Sequence, residues 1–530
     1  MTSRFVRKVR TASGAVAVQV VVKDGGRLVE VDHVGSAHTD AELALLLEAA
    51  RERLAPGQGV LDLGPLPQRR ISTEEVADWT APAGLPVPAP EGRPATVAAG
   101  GRVVGTSAVT LWQVLTRAYA DLGFDVIGDE AFKALVLARI VEPTSKADAL
   151  RVMAEIGVPP PSLRTIFRCL ARCVEDDYRA VLATACLTRA ASRRAGAASL
   201  VLYDCTTLYF ETDDEDGLRK VGMSKERRVD PQIQVGLLVD PCGFPLELHC
   251  FEGNKAETKT PVPVLEAFQA RHGVTDMVVV ADAGMLSASN LNALEDAGFG
   301  FIVGSRITRA PYDLAGHFAR HGDHFADGEI LESSRVMGTG AHARTRRVVY
   351  QYSFKRRKRD DKAINAMIER AEKIAEGTRP LKKDRFLKID GATKGVDWAL
   401  VERARQLAGL KGYVTNLPAA TMTGSAVIAA YHDLWRVEQS FRMAKSDLRA
   451  RPIFHHTKDS IEAHLTVVFA ALAISRHLQE TTGASIKKIV QTLRTVRSAT
   501  IEINGQRLTL DPELPAAAKD LLTSLDGTGH

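Results

Sequence analysis

SLVLYDCTTLYF, residues 199–210, is predicted to be a β-strand, because β-branched and aromatic residues dominate it around one charged residue, Asp204. Two further strand-like stretches follow, IQVGLLVD at residues 233–240 and FPLELHCFE at residues 244–252. The turn sequence Asp240–Gly243 joins these two stretches and predicts a hairpin. The three stretches together predict an antiparallel meander.

Beyond the meander the sequence alternates helices with strands. A helix is predicted over about residues 262–271, an apolar strand (MVVVAD) over 277–282, a second helix over 289–297 and a strand (FGFIVGS) over 299–305. The order βββαβαβ mixes antiparallel with parallel strands and predicts a multidomain α/β protein. The apolar strand ends at Asp282, which places that carboxylate at the rim of the sheet, where ligands of such sheets bind.

Length and composition limit the function classes. The 530 residues imply several domains, and 45% hydrophobic with 25% charged residues is the balance of a folded protein. The formal net charge of +5 permits a polyanionic partner. The six cysteines form no CxxC pair and the amino terminus has no apolar signal region, which favours a cytoplasmic protein. The apolar run at residues 466–475 is too short to cross a membrane and predicts a buried helix.

The region before the α/β stretch has two parts. Residues 1–95 predict a small α+β unit, with two strands around Asp24–Gly26, a helix over Thr39–Arg53 and a linker rich in Pro and Gly over 82–101. Residues 96–197 predict a series of short helices.

Basic residues on these short helices allow two interpretations. Arg164 and Arg168 would contact DNA if the helices form a helix-turn-helix-like binding region. The alternative is a helical spacer with a solvated basic face. The residues by themselves favour neither.

Residues 307–412 predict a basic, β-rich insertion. Five successive cations, Lys355–Arg359, lie within it, and three of them, Arg356, Arg357 and Lys358, are candidate contacts to a DNA backbone. A solvated charge run is the ordinary alternative.

The sequence after the insertion returns to the α/β pattern. A strand is predicted at residues 413–416, one long helix over Ala426–Leu448 and a mostly buried helix over Ser460–Glu480. Together with residues 198–306, residues 413–482 are assigned to one domain. Residues 483–530 are predicted to be a tail with a helix and a short strand pair around Asn504–Gly505.

Three acidic residues suit a metal-dependent reaction: Asp204, Asp282 and Glu438. Carboxylates that converge at a sheet rim would bind two Mg²⁺ ions through oxygen ligands. Such ions activate an attacking oxygen and stabilise a leaving oxygen in an in-line displacement. The motifs GxSxG, HExxH and GxxxxGK[ST] are absent from the sequence, so no other catalytic set has several parts.

The predicted helix around Glu438 carries further candidates. Tyr431, Trp435, Glu438, Arg442 and Lys445 recur at spacings of three or four and are expected on one face. The two cations would contact strand phosphates, and an aromatic ring would stack on an unpaired base. The alternative is an ordinary amphipathic helix with a surface ion pair between Glu438 and Arg442. Beyond this helix, His455 and His456 are expected to pack or to lie at the surface.

Three sequence blocks resemble a known family. The blocks are LVLYDCTTLYFE at residues 200–211, VVVADAGMLSASN at 278–290 and YHDLWRVEQSFRMAKSDLRARPIFHH at 431–456. In order and spacing they resemble the motif blocks of bacterial insertion-sequence transposases of the DDE class, in the large IS-four-like superfamily. The similarity covers about residues 199–456. GSAH at Gly35–His38 is similar to the amino-terminal region of one subgroup.

The resemblance implies a ribonuclease-H-like catalytic core interrupted by a β-rich insertion, with Asp204, Asp282 and Glu438 as the metal-binding triad. The family's helix signature of Tyr, Arg, Glu and Lys maps to Tyr431, Glu438 and Lys445, but Leu434 stands at the Arg position. Arg436 and Arg442 are the alternatives for the missing cation.

The resemblance also implies a function. The protein would bind the terminal inverted repeats of its own element, cleave phosphodiester bonds and join the 3′-hydroxyl ends to target DNA, using two Mg²⁺ ions or Mn²⁺ in their place. Its partners would be double-stranded DNA and a second copy of the chain, with no membrane, in the nucleoid of a bacterial cytoplasm. A non-catalytic DNA-binding relic and a metal-dependent nuclease without strand transfer are the alternatives.

Overall fold

The structure is a computed structural model. It describes residues 2–10, 16–24, 27–37, 46, 50, 102–192, 199–223, 229–274, 276–284, 287–380, 382–390, 393–503 and 506–526. The chain forms two compact units, Met1–Thr96 and Val97–His530.

The first unit contains a three-stranded antiparallel sheet. Its strands are β1 (Thr2–Arg10), β2 (Val16–Asp24) and β3 (Arg27–Ala37), in the order β1-β2-β3. The two strands predicted around Asp24 are therefore confirmed, and β1 adds a third. The predicted helix over 39–53, apart from residues 46 and 50, and the predicted linker lie outside the described residues.

The second unit contains the remaining described elements. Its strands are β4 (Arg102–Ser107), β5 (Ser199–Tyr209), β6 (Gln232–Val239), β7 (Pro245–Glu252), β8 (Met277–Ala281), β9 (Gly300–Ser305), β10 (Ile330–Met337), β11 (Arg344–Tyr352), β12 (Leu387–Asp390), β13 (Thr393–Val396), β14 (Leu410–Thr415), β15 (Ser498–Ile503) and β16 (Gln506–Leu510). Its helices are α1 (Val109–Asp121), α2 (Glu130–Val141), α3 (Lys146–Glu155), α4 (Leu163–Glu175), α5 (Tyr178–Ser192), α6 (Pro261–His272), α7 (Ala288–Asp296), α8 (Ala310–Asp313), α9 (Ala315–His321), α10 (Phe354–Ala375), α11 (Trp398–Gln406), α12 (Gly424–His432), α13 (Trp435–Ser446), α14 (Lys458–Thr482), α15 (Ile486–Arg494) and α16 (Ala516–Asp526).

An eight-stranded mixed sheet forms the centre of this unit, in the order β10-β11-β14-β9-β8-β5-β6-β7. β8 is parallel to β5 and to β9, whereas the other pairs are antiparallel. Every residue of β6 and β8 is buried, as expected for strands covered on both faces. The predicted meander and the order βββαβαβ are confirmed, as is the mixed α/β class.

α14 is the central helix of the core. It is the one helix among the described residues that is long and apolar enough to span a membrane, but 89% of that stretch is buried inside the fold. The predicted buried helix is therefore confirmed. Because α14 packs against α2 and α4 as well as α13, the amino-terminal helices and the sheet share one hydrophobic core.

The long helix predicted over Ala426–Leu448 is wrong, because two helices, α12 and α13, occupy this stretch. At their junction the backbone hydrogen bonds change to a spacing of three residues: Leu434 N donates to Tyr431 O, and Arg436 N donates to Asp433 O. This tighter turn interrupts the α-helical ladder. Residue propensity gives no sign of the interruption.

The interval 307–412, predicted to be a β-rich insertion, contains four strands, β10–β13, and four helices, α8–α11, in its described residues. β10 and β11 extend the central sheet by pairing with β14, and the longest element of the interval is the 22-residue helix α10. Ile364, Ile368 and Ala371 recur at helical spacing in this charged sequence and pack in a small separate core with α11. The run Lys355–Arg359 therefore begins a helix instead of extending a strand.

Candidate active site

Parallel pairing of β5 with β8 brings two of the predicted carboxylates to neighbouring positions. The register pairs Leu202 with Val280, and Asp204 and Asp282 each lie two residues farther along. Side chains two apart project from the same face, and neighbouring strands are about 4.8 Å apart. Asp204 is half-buried and Asp282 is exposed, so both carboxylates are positioned at one open rim of the sheet.

Tyr431 of α12 orients the carboxylate of Asp282. The Tyr431 hydroxyl donates to Oδ1 of Asp282 at 2.9 Å, and the backbone N–H of Ala283 donates to the same oxygen at 2.8 Å. Oδ2 of Asp282 accepts no hydrogen bond from the described residues. This arrangement leaves one oxygen open to a cation or a substrate.

Burial and the Asp282 charge raise the pKa of Tyr431, so its hydroxyl stays protonated and remains a donor. The ring fits because β9 has a glycine beneath it: a Cβ on Gly304 would lie 2.8 Å from the Tyr431 hydroxyl. A larger residue at position 304 would therefore displace the oxygen that orients Asp282.

Glu438 lies in the first turn of α13, and its side chain is exposed. α13 packs against β5 and β6, where Ser440 Oγ donates to Gly243 O at 2.8 Å. Within the described part of the chain, Glu438 forms no ion pair, so the alternative surface pair with Arg442 does not form. The Glu438 carboxylate remains open to solvent on the helix that covers the strand of Asp204.

The donor chemistry of this rim partly fits divalent ions. Two neighbouring carboxylates, one with a free oxygen, are the oxygen ligands that Mg²⁺ prefers. However, no three His, Cys, Asp or Glu side chains among the described residues are grouped closely enough to hold a metal ion. The convergence of Asp204, Asp282 and Glu438 on one metal site therefore stays a prediction.

Lys445 approaches the rim from the far end of α13. Its Nζ donates to Thr206 Oγ1, and Thr206 lies two residues beyond Asp204 on the same face of β5. Lys445 follows Glu438 by two helical turns, about 10 Å along the axis. α13 therefore presents an acid and a cation along the strand that carries Asp204.

Lys411 of β14 is a site residue that the sequence analysis missed. Its Nζ lies 4.4 Å from the centre of the Tyr431 ring. Burial lowers the pKa of Lys411 and the charge of Arg356 lowers it further, while the charge of Asp282 opposes both. The lysine is unusual for its strand, because the other five residues of β14 are buried and lysine is seldom buried without a functional or charged partner.

Arg436 and Arg442, the alternatives for the cation missing at Leu434, form no ion pair with Asp282 among the described residues. Arg436 pairs with Asp433 at 3.0 Å and lies over the Trp435 ring, 5.1 Å from its centre. Arg442 is exposed. Lys411 is therefore the cation beside Tyr431.

The five residues predicted to share one helix face differ in position. Tyr431 is buried on α12, before the break, whereas Trp435 on α13 is 51% exposed. The break at residues 433–434 places Tyr431 on a different helix from the other four residues. The five residues therefore do not share one continuous helix, whereas Glu438 and Lys445 lie on one side of α13, and their DNA contacts stay a prediction.

The cations of α10 are partly neutralised. Arg356 lies 3.6 Å from Asp360, and Arg357 lies 3.7 Å from Asp361. Lys358 is exposed and lies over the ring of Phe354. These ion pairs are long and partly exposed, so all three cations keep access to solvent.

Arg164 and Arg168 lie on the solvent face of α4. Both side chains are exposed, and neither has a carboxylate partner among the described residues. The helix begins where predicted, because the Ser162 side chain accepts from the Thr165 N–H and caps it.

Comparison with known proteins gives one family match. Residues 196–474, somewhat more than half of the chain, match the family described as the transposase DDE domain. No curated protein matches the chain. Eight chains of solved structures match, among them a cryo-EM structure of the piggyBac transposase synaptic complex with hairpin DNA. That match has 10% sequence identity and a TM-score of 0.38, and it covers 68% of this chain and 69% of the other.

Proposed function

We propose, because this chain belongs to the transposase DDE domain family, that it binds the terminal inverted repeats of its own insertion sequence, cleaves phosphodiester bonds there and joins the freed 3′-hydroxyl ends to target DNA. The observation that carries the proposal is the position of Asp204 and Asp282, each two residues beyond the paired Leu202 and Val280, with Oδ2 of Asp282 open and Tyr431 bound to Oδ1. Two cations, Lys411 and Lys445, flank this pair.

Asp204 and Asp282 are the residues that would hold divalent ions, and Glu438 would reach them from α13 when DNA binds. Two Mg²⁺ ions, or Mn²⁺ in their place, would supply activation of the attacking oxygen and stabilisation of the leaving oxygen.

The side chains of the protein have separate roles in this proposal. Tyr431 holds Asp282 in one orientation, so the carboxylate need not reorganise when substrate arrives. Lys411 and Lys445 would bind phosphate oxygens and reduce their repulsion from the carboxylates. Arg442 would contact the backbone of the same strand, and Trp435 would stack on an unpaired base.

Contacts remote from the rim would hold the rest of the DNA. Arg164 and Arg168 on α4, and Arg356, Arg357 and Lys358 on α10, are the proposed backbone contacts. Two copies of the chain would pair the two ends of the element. The resemblance to IS-four-like transposases supports a bacterial protein that acts at the nucleoid.

The test is incubation of the purified protein with end DNA of its element in Mg²⁺ or Mn²⁺, next to Glu438→Gln. Cleaved and joined strands that are absent with the variant would support the proposal. Cleavage without joining would identify a nuclease. Binding of the ends without cleavage by either protein would identify a DNA-binding relic.

A further inference from the structure

A cavity of about 790 Å³ lies next to the segment that follows α13. One side is formed by α2, α3 and α4, and the other by residues 449–455 and α14. Its volume lies within the range of about 300–1,000 Å³ typical of small-molecule sites. Asp204, Asp282 and Glu438 do not line it, so the cavity is distinct from the candidate active site.

The cavity has an excess of positive charge. Arg139, Lys146 and Arg449 line it, and none of them pairs with a carboxylate in the part of the chain that the structure describes. Burial lowers the pKa of Arg139 to about 10, and burial together with Arg139 lowers the pKa of Lys146. Glu142, an acid in the lining, is already bound by Arg494 at 2.5 Å. Arg139 and Lys146 are partly buried and Arg449 is exposed. Cations without counterions favour an anionic ligand, most strongly where they are partly buried.

Two aromatic rings form the mouth of the cavity. Phe167 is 54% exposed and Phe454 is 71% exposed, and both line it. Lys146 Nζ lies 5.8 Å from the centre of the Phe167 ring. On α4, Arg164 and Arg168 flank Phe167 on the solvent side. Exposed rings interleaved with cations are the arrangement on which bases of an unpaired strand stack.

Two neutral histidines supply hydrogen-bonding groups in the wall. Lys146 Nζ lies 3.1 Å from Nδ1 and 3.2 Å from Nε2 of His455, and an ammonium can only donate, so one ring nitrogen of this neutral histidine is its acceptor. His464 Nε2 lies 3.1 Å from Ala450 O and donates to it, which makes its Nδ1 an acceptor. Neutral imidazoles can contact a base edge without adding charge.

The cavity is connected to the active site through the backbone. Arg139 donates to Leu448 O and Arg449 O, directly after α13. Ile453 N donates to O of Tyr209, the last residue of β5. Tyr209 is five residues beyond Asp204, about 17 Å along the strand. This span is roughly five steps of duplex DNA at about 3.4 Å each.

We propose that this cavity binds one unpaired nucleotide of the DNA strand engaged at the active site. The base would lie against Phe167 and Phe454, and its phosphate against Arg139, Lys146 and Arg449. The inference rests on the proposed function, since it takes DNA as the substrate. A free nucleotide has the same chemistry, and the experiment below separates the two sources.

The test compares two duplexes of one sequence, one fully paired and one with a single unpaired 2-aminopurine nucleotide. Binding of the full-length protein is measured in EDTA, so that no chemistry is needed. Wild type is expected to prefer the unpaired duplex. Phe167→Ala and Phe454→Ala are each expected to reduce that preference about 5- to 150-fold, the range of one lost stacking contact. Lys146→Gln is expected to weaken binding and reduce its dependence on salt.

Trp398→Ala is the matched control, because Trp398 is 58% exposed and lies outside the cavity. The Phe variants remove exposed rings, and equal melting temperatures would confirm intact folding. Unchanged preference in both Phe variants would overturn the inference. If free dAMP competed for binding as strongly as the duplex does, the assignment of the bound nucleotide to a DNA strand would be overturned. Failure of wild type to bind any DNA would instead contradict the proposed function.

Discussion

The Tyr431 hydroxyl on α12 donates a 2.9 Å hydrogen bond to Oδ1 of Asp282, the residue that follows β8. The bond connects α12, which follows residues 307–412 in the chain, to the residue at the end of β8, which precedes them. The orientation of the Asp282 carboxylate therefore depends on how the carboxyl-terminal helices pack on the sheet.

Tyr431→Phe removes this hydrogen bond and keeps the ring. We expect a free energy of unfolding lower by about 1 kcal/mol, and cleavage of end DNA slower by about 10- to 100-fold because Asp282 loses its orienting partner. Single-turnover cleavage and thermal melting measure the two effects. Tyr413→Phe is the matched control, because its hydroxyl lies 3.3 Å from His432 instead of Asp282. Equal loss of cleavage in both variants would contradict a specific role for Tyr431.

Lys411→Gln removes the cation beside Tyr431. We expect cleavage to slow by about 10-fold or more, because a phosphate would lose its charge partner near Asp282. The free energy of unfolding should stay equal or rise, since a half-buried charge is removed. Cleavage rates and urea denaturation test both parts. Lys519→Gln, an exposed lysine on α16, should match wild type. A Lys411 variant with full activity would exclude the residue from the site.

Neutralising Arg164 and Arg168 together should weaken end binding at moderate salt. The slope of log affinity against log salt should fall by about 2, because two phosphate contacts are lost. Binding titrations at several salt concentrations measure the slope. A double variant of the exposed Lys487 and Lys488 on α15 is the control. Unchanged affinity and slope would identify α4 as part of a spacer instead of a DNA-binding region.

Stability should decrease in mild acid because of His455. Burial, then the charges of Lys146, Arg139 and His456, lower the pKa of His455 to about 4. Buried His464, also with a lowered pKa, faces it. Between about pH 6.5 and 4 the unfolded chain binds a proton that the folded protein excludes, so stability falls as pH falls.

The expected loss through His455 is about 3 kcal/mol over this range. His455→Asn should reduce the pH dependence of the free energy of unfolding, measured by urea denaturation from pH 7 to pH 4. His456→Asn, a variant of an exposed neighbour, should retain it. Identical pH profiles for the two variants would show that other groups cause the loss.

Much of the fold was predictable because its signals are local. The apolar strand before Asp282, the hairpin turn at Asp240–Gly243 and the Ser162 cap each depend on residues within one short stretch. The break between α12 and α13 was not predictable, since residues 433 and 434 are Asp and Leu, neither of the strong helix breakers Gly and Pro. The interruption comes from packing of two helices on different parts of the sheet.

The sequence by itself determined the order βββαβαβ of residues 199–305, the transposase DDE family, and the positions of Asp204 within β5 and of Asp282 directly after β8. The tertiary structure alone decided that β10 and β11 join the central sheet, that Lys411 lies beside Tyr431, and that basic and aromatic residues enclose a cavity. Periodicity and turn chemistry act over a few residues, whereas strand pairing and helix packing join distant segments. Which distant segments meet is set by the best burial of the whole chain, and no local pattern records it.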